Sequence, residues 1–288
     1  MATDTERPGG VPSLLRPLAE DLEARRARAR LGGGAERIAR QHEAGKLTAR
    51  KRIDLLVEPG AFTELGIHAG VHHSVRGLEG KEAPADGVVT GYGRVDGRLV
   101  AVCAYDFTVM AGSMGTTGEI KVARLRELAL TKRMPFVWLL DSAGARIQEA
   151  VGSLFAGTGD LFREEVIASG VIPQVAALMG PCAAGTAYIE PDLIVAWPSA
   201  EISVMGAEGA VEIVMRRQVE EAADPEAKRA ELVAAYRRLI DVYVAARNGL
   251  VDDVIDPRET RPVICLALEM AEGRTTQRPW KRNAVVPV

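Results

Sequence analysis

Two segments carry the clearest structural signal in this sequence: Phe136-Val-Trp-Leu-Leu-Asp-Ser-Ala-Gly-Ala-Arg-Ile-Gln-Glu149 and Val175-Ala-Ala-Leu-Met-Gly-Pro-Cys-Ala-Ala-Gly-Thr-Ala-Tyr188. Each is an apolar run of strand length that ends in Gly, Ala and Ser or Cys, residues that let the backbone come close to a ligand. A helix that begins there points its free N–H groups at the same place, and these groups favour negative charge. Each segment therefore predicts a strand that turns into a helix beside a ligand.

The two predicted turns have a chemical use if they face one pocket. Backbone N–H groups that converge there would form an oxyanion hole for a carbonyl that becomes an enolate. On pattern alone, Gly-rich turns between a strand and a helix more often serve close packing than catalysis. The sequence therefore leaves two interpretations open, close packing and enolate stabilisation, and the second needs no catalytic side chain.

Strands and helices alternate through the part of the chain that contains these segments. Residues 87–105 are predicted to form two strands around a hairpin at Asp96-Gly97. The helices predicted after it lie over 117–132, with an apolar stripe that includes Ile120, over 153–169, and over 225–247, a long helix capped by Asp224. The predicted strands lie over 136–140, 174–179 and 193–197, and a strand-like piece lies over 250–255. This alternation predicts an α/β fold with a largely parallel sheet.

The N-terminal part of the chain is predicted to be helical. Its helices are expected over 11–31, over 35–45, and from the capping residue Thr48 to Leu56. Residues 66–85 show no hydrophobic period and are predicted to form a mobile loop. The N-terminal helical arm, the single domain and the C-terminal tail are expected over 1–34, 35–273 and 274–288.

Composition excludes several classes of protein. With 288 residues and 47% hydrophobic content, the chain is long and apolar enough to bury a core. A net charge of −3 gives no reason to expect nucleic acid or a membrane surface as a partner, and no apolar stretch approaches the roughly 20 residues of a membrane span. Three distant cysteines and four histidines without ligand spacing predict no metal site. We expect a soluble protein of a reducing cytoplasm.

Several motifs resemble the carboxyltransferase (β) subunit of biotin-dependent acyl-CoA carboxylases, of the propionyl-CoA carboxylase β type. They lie at 45–56, 106–115, 141–149, 168–174, 180–183, 196–206 and 248–252. As a set they are highly specific, and they are spread over most of residues 35–288. The resemblance implies a crotonase-like (ClpP/crotonase) fold of repeated ββα units, coenzyme A thioester substrates, and homo-oligomers of stacked subunits.

The chain departs from this family in its length. Family members carry two crotonase domains in tandem, about twice this length, whereas residues up to Tyr188 resemble the first half of the N-terminal domain. From about Pro191 onward the chain resembles the second half of the C-terminal domain, which implies a single composite domain. The family uses one oxyanion hole for the acyl thioester and another for biotin, and only one Pro-Cys-Ala-Ala-Gly turn is present here.

The resemblance assigns the catalytic roles to backbone groups. The N–H groups of Ala184 and Gly185, in the second turn, would hold the thioester oxygen. Ala143 and Gly144, in the first turn, would supply a complementary donor or line the opposite wall. With this resemblance the donor role outweighs the packing interpretation for Ala184 and Gly185.

The resemblance also suggests residues that would bind the substrate. Ser113, Met114 and Gly115 would border the CoA channel. Arg146 and Gln148 would orient the first turn or contact the carboxylate. Arg146 could equally pair with the acidic residue three positions further on, on a helix surface.

The reaction implied by the resemblance is carboxyl transfer between N1 of biotin and the α-carbon of a short acyl-CoA, through an enolate. With a proton in place of biotin, the same site would decarboxylate malonyl- or methylmalonyl-type thioesters. A third hypothesis is a non-catalytic scaffold that keeps only the fold and the oligomer surface. The implied partners are an acyl-CoA or acyl-carrier thioester and, for the first hypothesis, a biotin carboxylase or a carrier subunit that bears carboxybiotin.

Overall fold

The structure, a computed structural model, describes residues 15–150, 159–183 and 191–272. The helices in these ranges are α1 (Arg16–Arg30), α2 (Ala35–Glu43), α3 (Ala49–Leu56), α4 (Thr116–Lys132), α5 (Gly159–Ala168), α6 (Ala207–Val214), α7 (Arg216–Glu220), α8 (Pro225–Leu239), α9 (Val242–Arg247) and α10 (Thr260–Met270). The strands are β1 (Thr63–Leu65), β2 (Val88–Val95), β3 (Arg98–Tyr105), β4 (Phe136–Ser142), β5 (Gln174–Cys182), β6 (Leu193–Ala196), β7 (Glu201–Ile202) and β8 (Asp253–Val254). No helix of the described residues combines the length and the apolar composition that a bilayer crossing requires.

Within these ranges the strands form one sheet in the order β1-β2-β3-β4-β5-β6-β8, and β7 pairs with the end of β5. Strands β3 to β8 pair with one another in the parallel direction. Strand β1 pairs with β2, and β2 with β3, in the antiparallel direction. The prediction of an α/β fold with a largely parallel sheet is confirmed. The predicted hairpin is present as well, because Asp96 and Gly97 take φ values of 51° and 75°, as a two-residue hairpin turn of this type requires.

Strand β4 shows how the sheet is packed, because every one of its residues is buried. Phe136, Trp138 and Leu140 point into the core beneath α4 and α5, whereas Val137 and Leu139 point into the core shared with α3 and α10. A parallel strand covered on both faces needs apolar residues at every position, which explains the unbroken apolar run in the sequence. The parallel strands all end at the same edge, and the two turns follow there.

The prediction of one long helix over 225–247 is wrong, because the structure has two helices there, α8 and α9. The cap at Asp224 is present, since its side chain accepts a hydrogen bond from the Ala227 N–H at 3.0 Å. At the break, the N–H of Ile202 donates to the Ile240 carbonyl at 2.8 Å, and the Asp241 side chain accepts from the Tyr243 N–H at 2.8 Å. A long-range contact therefore ends α8, and a side-chain cap begins α9. The sequence does not mark this break, because its helical hydrophobic period continues across it.

Three helices, α6, α7 and α10, have no counterpart among the predicted elements. The apolar stripe predicted for α4 runs through Ile120, Val122, Leu125, Leu128 and Leu130. It is confirmed at Val122 and Leu125, which are buried, but Ile120 is 53% exposed, and Ala129 belongs to the buried face instead. In the segment predicted as a mobile loop, Leu78 is fully buried and packs with neighbouring apolar side chains in a small core of its own. Predicted positions after 272, before 15 and over 151–158 lie outside the described residues.

A carboxylate is buried in the core between α4 and α5. Glu165 and Arg126 are each 1% exposed, and their charged atoms are 3.4 Å apart. Neither carboxylate oxygen of Glu165 accepts a hydrogen bond within the described residues. Burial raises the pKa of Glu165 to about 9, and the positive charge of Arg126 only partly offsets this.

We expect Glu165→Gln to flatten the decline in stability at alkaline pH. A carboxyl whose pKa is about 9 in the folded state binds its proton more tightly there than in the unfolded chain. Its contribution is therefore fully present below about pH 4.5 and is lost as the pH rises toward 9, by at most about 1.4 kcal/mol per pH unit. Urea unfolding between pH 6 and 9.5 measures the slope. Glu164→Gln, with 29% of its side chain exposed, is the control; an identical slope in all three proteins would contradict the expectation.

Candidate active site

The first turn follows β4 and lies directly against the end of β5. Ser142 and Cys182 are paired in the parallel register, and Gly144 has a φ of 94°. A Cβ atom on Gly144 would lie 3.0 Å from the Cβ of Ala183, closer than ordinary contact allows. Glycine is therefore required at this position both by the backbone conformation and by the close approach of the second turn.

The amides of the first turn are already used within the protein. The Ala143 N–H donates to the Ala111 carbonyl at 2.9 Å, and the Gly144 N–H donates to the Ser142 hydroxyl at 3.1 Å. In this conformation neither amide can also serve as the complementary donor to a ligand oxygen. Of the two roles predicted for this turn, that of lining the wall of the pocket fits the geometry, because the exposed Ala143 lines the adjacent cleft.

The residues predicted as oxyanion donors, Ala184 and Gly185, lie outside the described residues. They directly follow Ala183, which contacts the first turn. Their role as donors stays a prediction.

Residues 113–115 bind to the first turn, and one of them lines the cleft. The Met114 N–H donates to the Gly144 carbonyl at 2.8 Å, and Ser113 is the member of the predicted set that borders the cleft. Gly115 is buried, and a Cβ atom there would lie 2.1 Å from a guanidinium nitrogen of Arg146. Only glycine leaves room for that guanidinium.

The guanidinium of Arg146 is buried beneath the first turn. It donates to the carboxylate of Asp86, to the Ser113 hydroxyl at 3.2 Å and to the Ser113 carbonyl at 3.0 Å. Glu149 lies 3.7 Å away, so the ion pair with the acidic residue three positions on exists, although it is buried and not on a helix surface. This geometry suits a residue that positions the turn. Gln148, in contrast, is exposed and lines the cleft.

Two left-handed turns lie near Arg146, and neither was predicted. Ala85 and Asp86 have φ values of 53° and 51°, and Met110 and Ala111 have values of 49° and 55°. Such conformations cost free energy for residues other than glycine, and they persist where the surroundings hold them, often near functional sites. A glycine follows each pair, which is the one local signal that could have indicated them.

A cleft of about 820 Å³ lies over this region, between α2, the loop after β3 and the first turn. Besides the buried Arg146, its basic lining residues are Arg37, Arg40, Lys46 and Lys81. Among the described lining residues, Glu82 is the only carboxylate. Arg40, Lys46 and Arg146 pair with Glu36, Asp141 and Asp86, so the positive charge of the cleft comes mainly from Arg37 and Lys81. The cleft has both the size and the charge for a phosphate-bearing ligand.

Below the cleft, the fully buried Asp141 holds the N-terminal helices against β4. Its carboxylate accepts hydrogen bonds from Lys46 at 2.6 Å, from Arg52 at 2.8 Å and from Gln41 at 3.2 Å. We call these four residues the Asp141 cluster. Burial lowers the pKa of Lys46, and the charge of Asp141 partly offsets this. A Cβ atom on Gly180 would lie 2.4 Å from the carboxylate, so glycine keeps the space that the cluster needs.

The parts of the chain that the structure describes bring no three His, Cys, Asp or Glu side chains together in an arrangement that could hold a metal ion.

A family model described as the carboxyl transferase domain matches residues 40–191 and 189–286. The two matched stretches meet at the position where the sequence predicts the junction of a composite domain. The propionyl-CoA carboxylase beta chain of Roseobacter denitrificans is 45% identical over 174 residues, which are 60% of this chain and 34% of that protein. The methylmalonyl-CoA decarboxylase subunit alpha of Veillonella parvula is 48% identical over 170 residues, or 59% of this chain and 33% of that protein. The chain thus spans about a third of the length of these relatives.

The solved structure of transcarboxylase 12S, described as a hexamer assembly with hydrolyzed methylmalonyl-coenzyme A bound, is similar in fold. Its TM-score is 0.74 at 32% identity, over 91% of this chain and 49% of that chain. The predicted crotonase-like fold is confirmed by this likeness. Because the family model covers nearly all of the residues after α1, the chain belongs to the carboxyl transferase domain family.

Proposed function

We propose that the chain is an acyl-CoA carboxyltransferase that acts at the α-carbon of a short acyl thioester. The observation that carries the proposal is the basic cleft beside the first turn. Coenzyme A bears several phosphates, and Arg37, Arg40 and Lys81 at the cleft are suited to hold them. The chain's similarity to the propionyl-CoA carboxylase beta chain supports this choice of substrate.

The chain's own groups would act on the thioester by position and charge. Removal of the carboxyl group, or its arrival, passes through an enolate whose negative charge develops on the thioester oxygen. The N–H groups of Ala184 and Gly185 are the proposed donors to that oxygen, and the first turn would form the facing wall. Carboxybiotin, presented by a partner carrier, would supply the carboxyl group. The Asp86–Arg146 contact would keep the first turn in place during the reaction.

Decarboxylation is the second candidate, and a specific relative favours it. The Veillonella parvula protein that is 48% identical over 170 residues is named as a methylmalonyl-CoA decarboxylase subunit. A malonyl- or methylmalonyl-type thioester would lose carbon dioxide to give the same enolate, which a proton would then quench. The one Pro-Cys-Ala-Ala-Gly turn in this chain fits a reaction without a separate biotin site.

A single set of incubations distinguishes these functions. The purified chain is incubated with malonyl-CoA or methylmalonyl-CoA, with and without a biotinylated carrier, and carbon dioxide and the CoA products are measured. Release of carbon dioxide without the carrier would support the decarboxylase, and turnover that requires the carrier would support the carboxyltransferase. No turnover in either condition, from a protein that binds CoA and is folded, would favour the scaffold hypothesis.

The partners follow from the same proposal. The relatives are named as subunits, and the transcarboxylase 12S structure is a hexamer. We therefore propose a homo-oligomer that works with a biotin carboxylase or a biotin carrier subunit. Cys103, Cys182 and Cys265 form no disulfide, which supports a reducing cytoplasm as the place of action.

We expect Lys81→Ala to weaken the binding of acyl-CoA without slowing the chemical step. Lys81 is exposed at the cleft, so removing its charge should raise KM roughly three- to fivefold, with kcat unchanged. The difference should shrink in 0.5 M salt because screening acts on exposed charges. Lys51→Ala, an equally exposed lysine on α3 outside the cleft, is the control. Equal KM values for both variants would argue against phosphate binding at this edge.

A further inference from the structure

A second concave surface lies between α3 and α10, away from the cleft. This α3–α10 groove has a volume of about 560 Å³. Its apolar lining includes Leu47, Leu55, Leu56, Leu139, Met179 and Trp197. The groove is separated from the cleft by the Asp141 cluster, because Lys46 lines the cleft and Arg52 lines the groove.

Arg52 gives the groove a buried cation. Arg52 is 4% exposed, its guanidinium lies 5.4 Å from the centre of the Trp197 ring, and one of its terminal nitrogens donates to Asp141. Its Nε atom is also buried and makes no hydrogen bond within the described residues. Buried donors of this kind are rarely left without an acceptor, so Arg52, which lines the groove, has hydrogen-bonding capacity that the described residues do not use.

The rim of the groove is positively charged, like Arg52 inside it. Arg261 and Arg258 line it, and none of its described lining residues is acidic. The Arg261 Nε–H donates to the Leu56 carbonyl at 3.1 Å, which fixes this side chain at the end of the groove. Arg258 pairs with Asp256 and is mostly exposed, so Arg261 and Arg52 provide most of the positive charge.

We propose that the α3–α10 groove binds a carboxylate carried on an apolar chain, of the medium-chain fatty acid type. The carboxylate would lie between Arg52 and Arg261, where a planar guanidinium can donate two hydrogen bonds. The hydrocarbon chain would lie along the leucines and Met179. A groove of this size is within the range of pockets that enclose a small ligand. The site is independent of the proposed function, because it requires neither the thioester nor the two turns.

Titration calorimetry of the whole chain with decanoate tests the proposal. We expect one decanoate per chain, binding at least tenfold more tightly than the uncharged decanol, and no competition from coenzyme A. Absence of decanoate binding, equal binding of decanol, or displacement by coenzyme A would each overturn the proposal.

Two variants tie the binding to the groove. Leu55 is 64% exposed, so Leu55→Glu should fold normally and should weaken decanoate binding at least tenfold by repelling the carboxylate. Leu18→Glu replaces a leucine of α1 that is 65% exposed and lies outside the groove, and it should bind decanoate as the unchanged chain does. Arg261→Gln should weaken binding severalfold. Unchanged binding in Leu55→Glu, or equal losses in Leu55→Glu and Leu18→Glu, would show that decanoate binds elsewhere.

Discussion

Replacing Asp141 with Asn is expected to lower the free energy of unfolding by about 3–5 kcal/mol, the effect typical of breaking a buried ion pair from one side. The carboxylate is fully buried and accepts hydrogen bonds from Lys46, Arg52 and Gln41. Asn keeps the shape of the side chain but removes its charge, so two cations would remain in or near the core without a counter-charge. Urea denaturation at neutral pH measures the loss.

The control for this substitution is an ion pair on the surface. Glu212 pairs with Arg229 while more than a third of each side chain is exposed, so Glu212→Gln should cost at most about 1 kcal/mol. Gly180→Ala is a second substitution that disturbs the Asp141 cluster, because its new Cβ atom would be forced against the Asp141 carboxylate. If Asp141→Asn costs no more than Glu212→Gln, the Asp141 cluster does not anchor the N-terminal helices.

We expect Gly144→Ala to reduce turnover by about 10²–10³, the usual cost of losing an oxyanion donor. The new Cβ atom would press on Ala183 at 3.0 Å and would shift the start of the second turn, which carries the proposed donors at 184 and 185. The loss should appear in kcat, since the cleft that is proposed to hold coenzyme A is otherwise unchanged. The assay is whichever of the two carboxyl reactions the chain catalyses.

Gly97→Ala separates this effect from backbone strain. Gly97 also has a left-handed φ, of 75°, but nothing lies within 4 Å of where its Cβ would be, and it sits in the hairpin between β2 and β3. Both variants should lose roughly 1 kcal/mol of stability from the strained backbone. Only Gly144→Ala should lose activity. Full activity in that variant would show that the first turn is not part of the active site.

The features that the sequence could predict are local ones. The apolar runs of β4 and β5, the Asp96-Gly97 hairpin and the caps at Thr48 and Asp224 each depend on a few neighbouring residues, and the structure contains all of them. The first turn was also predictable, because small residues follow the apolar run of β4 where that parallel strand ends; the second turn stays a prediction, because residues 184–190 lie outside the described residues. Their functional meaning came from the resemblance to a family and not from the pattern.

The features that could not be predicted depend on distant residues. Lys46 and Asp141 are 95 positions apart, and no local pattern marks either as a partner of the other. For Arg146 the sequence left open a role in orienting the first turn, a ligand contact and a surface ion pair, because nothing near it shows that Asp86 would lie beneath it. The left-handed turn at 85–86 is held by such contacts, and of the four residues at 85–86 and 110–111 only Asp86 is of a type that favours this conformation.

In the part of the chain that the structure describes, the sheet ends in very short strands at both edges. Strand β1 at one edge has three residues and β8 at the other has two. Long exposed edges are templates on which misfolded copies can add further strands and grow into fibrils, and short ones offer too few main-chain groups for this. Assembly of this chain should therefore proceed through side-chain surfaces, and concentrated preparations should remain free of cross-β aggregates as long as the native fold persists.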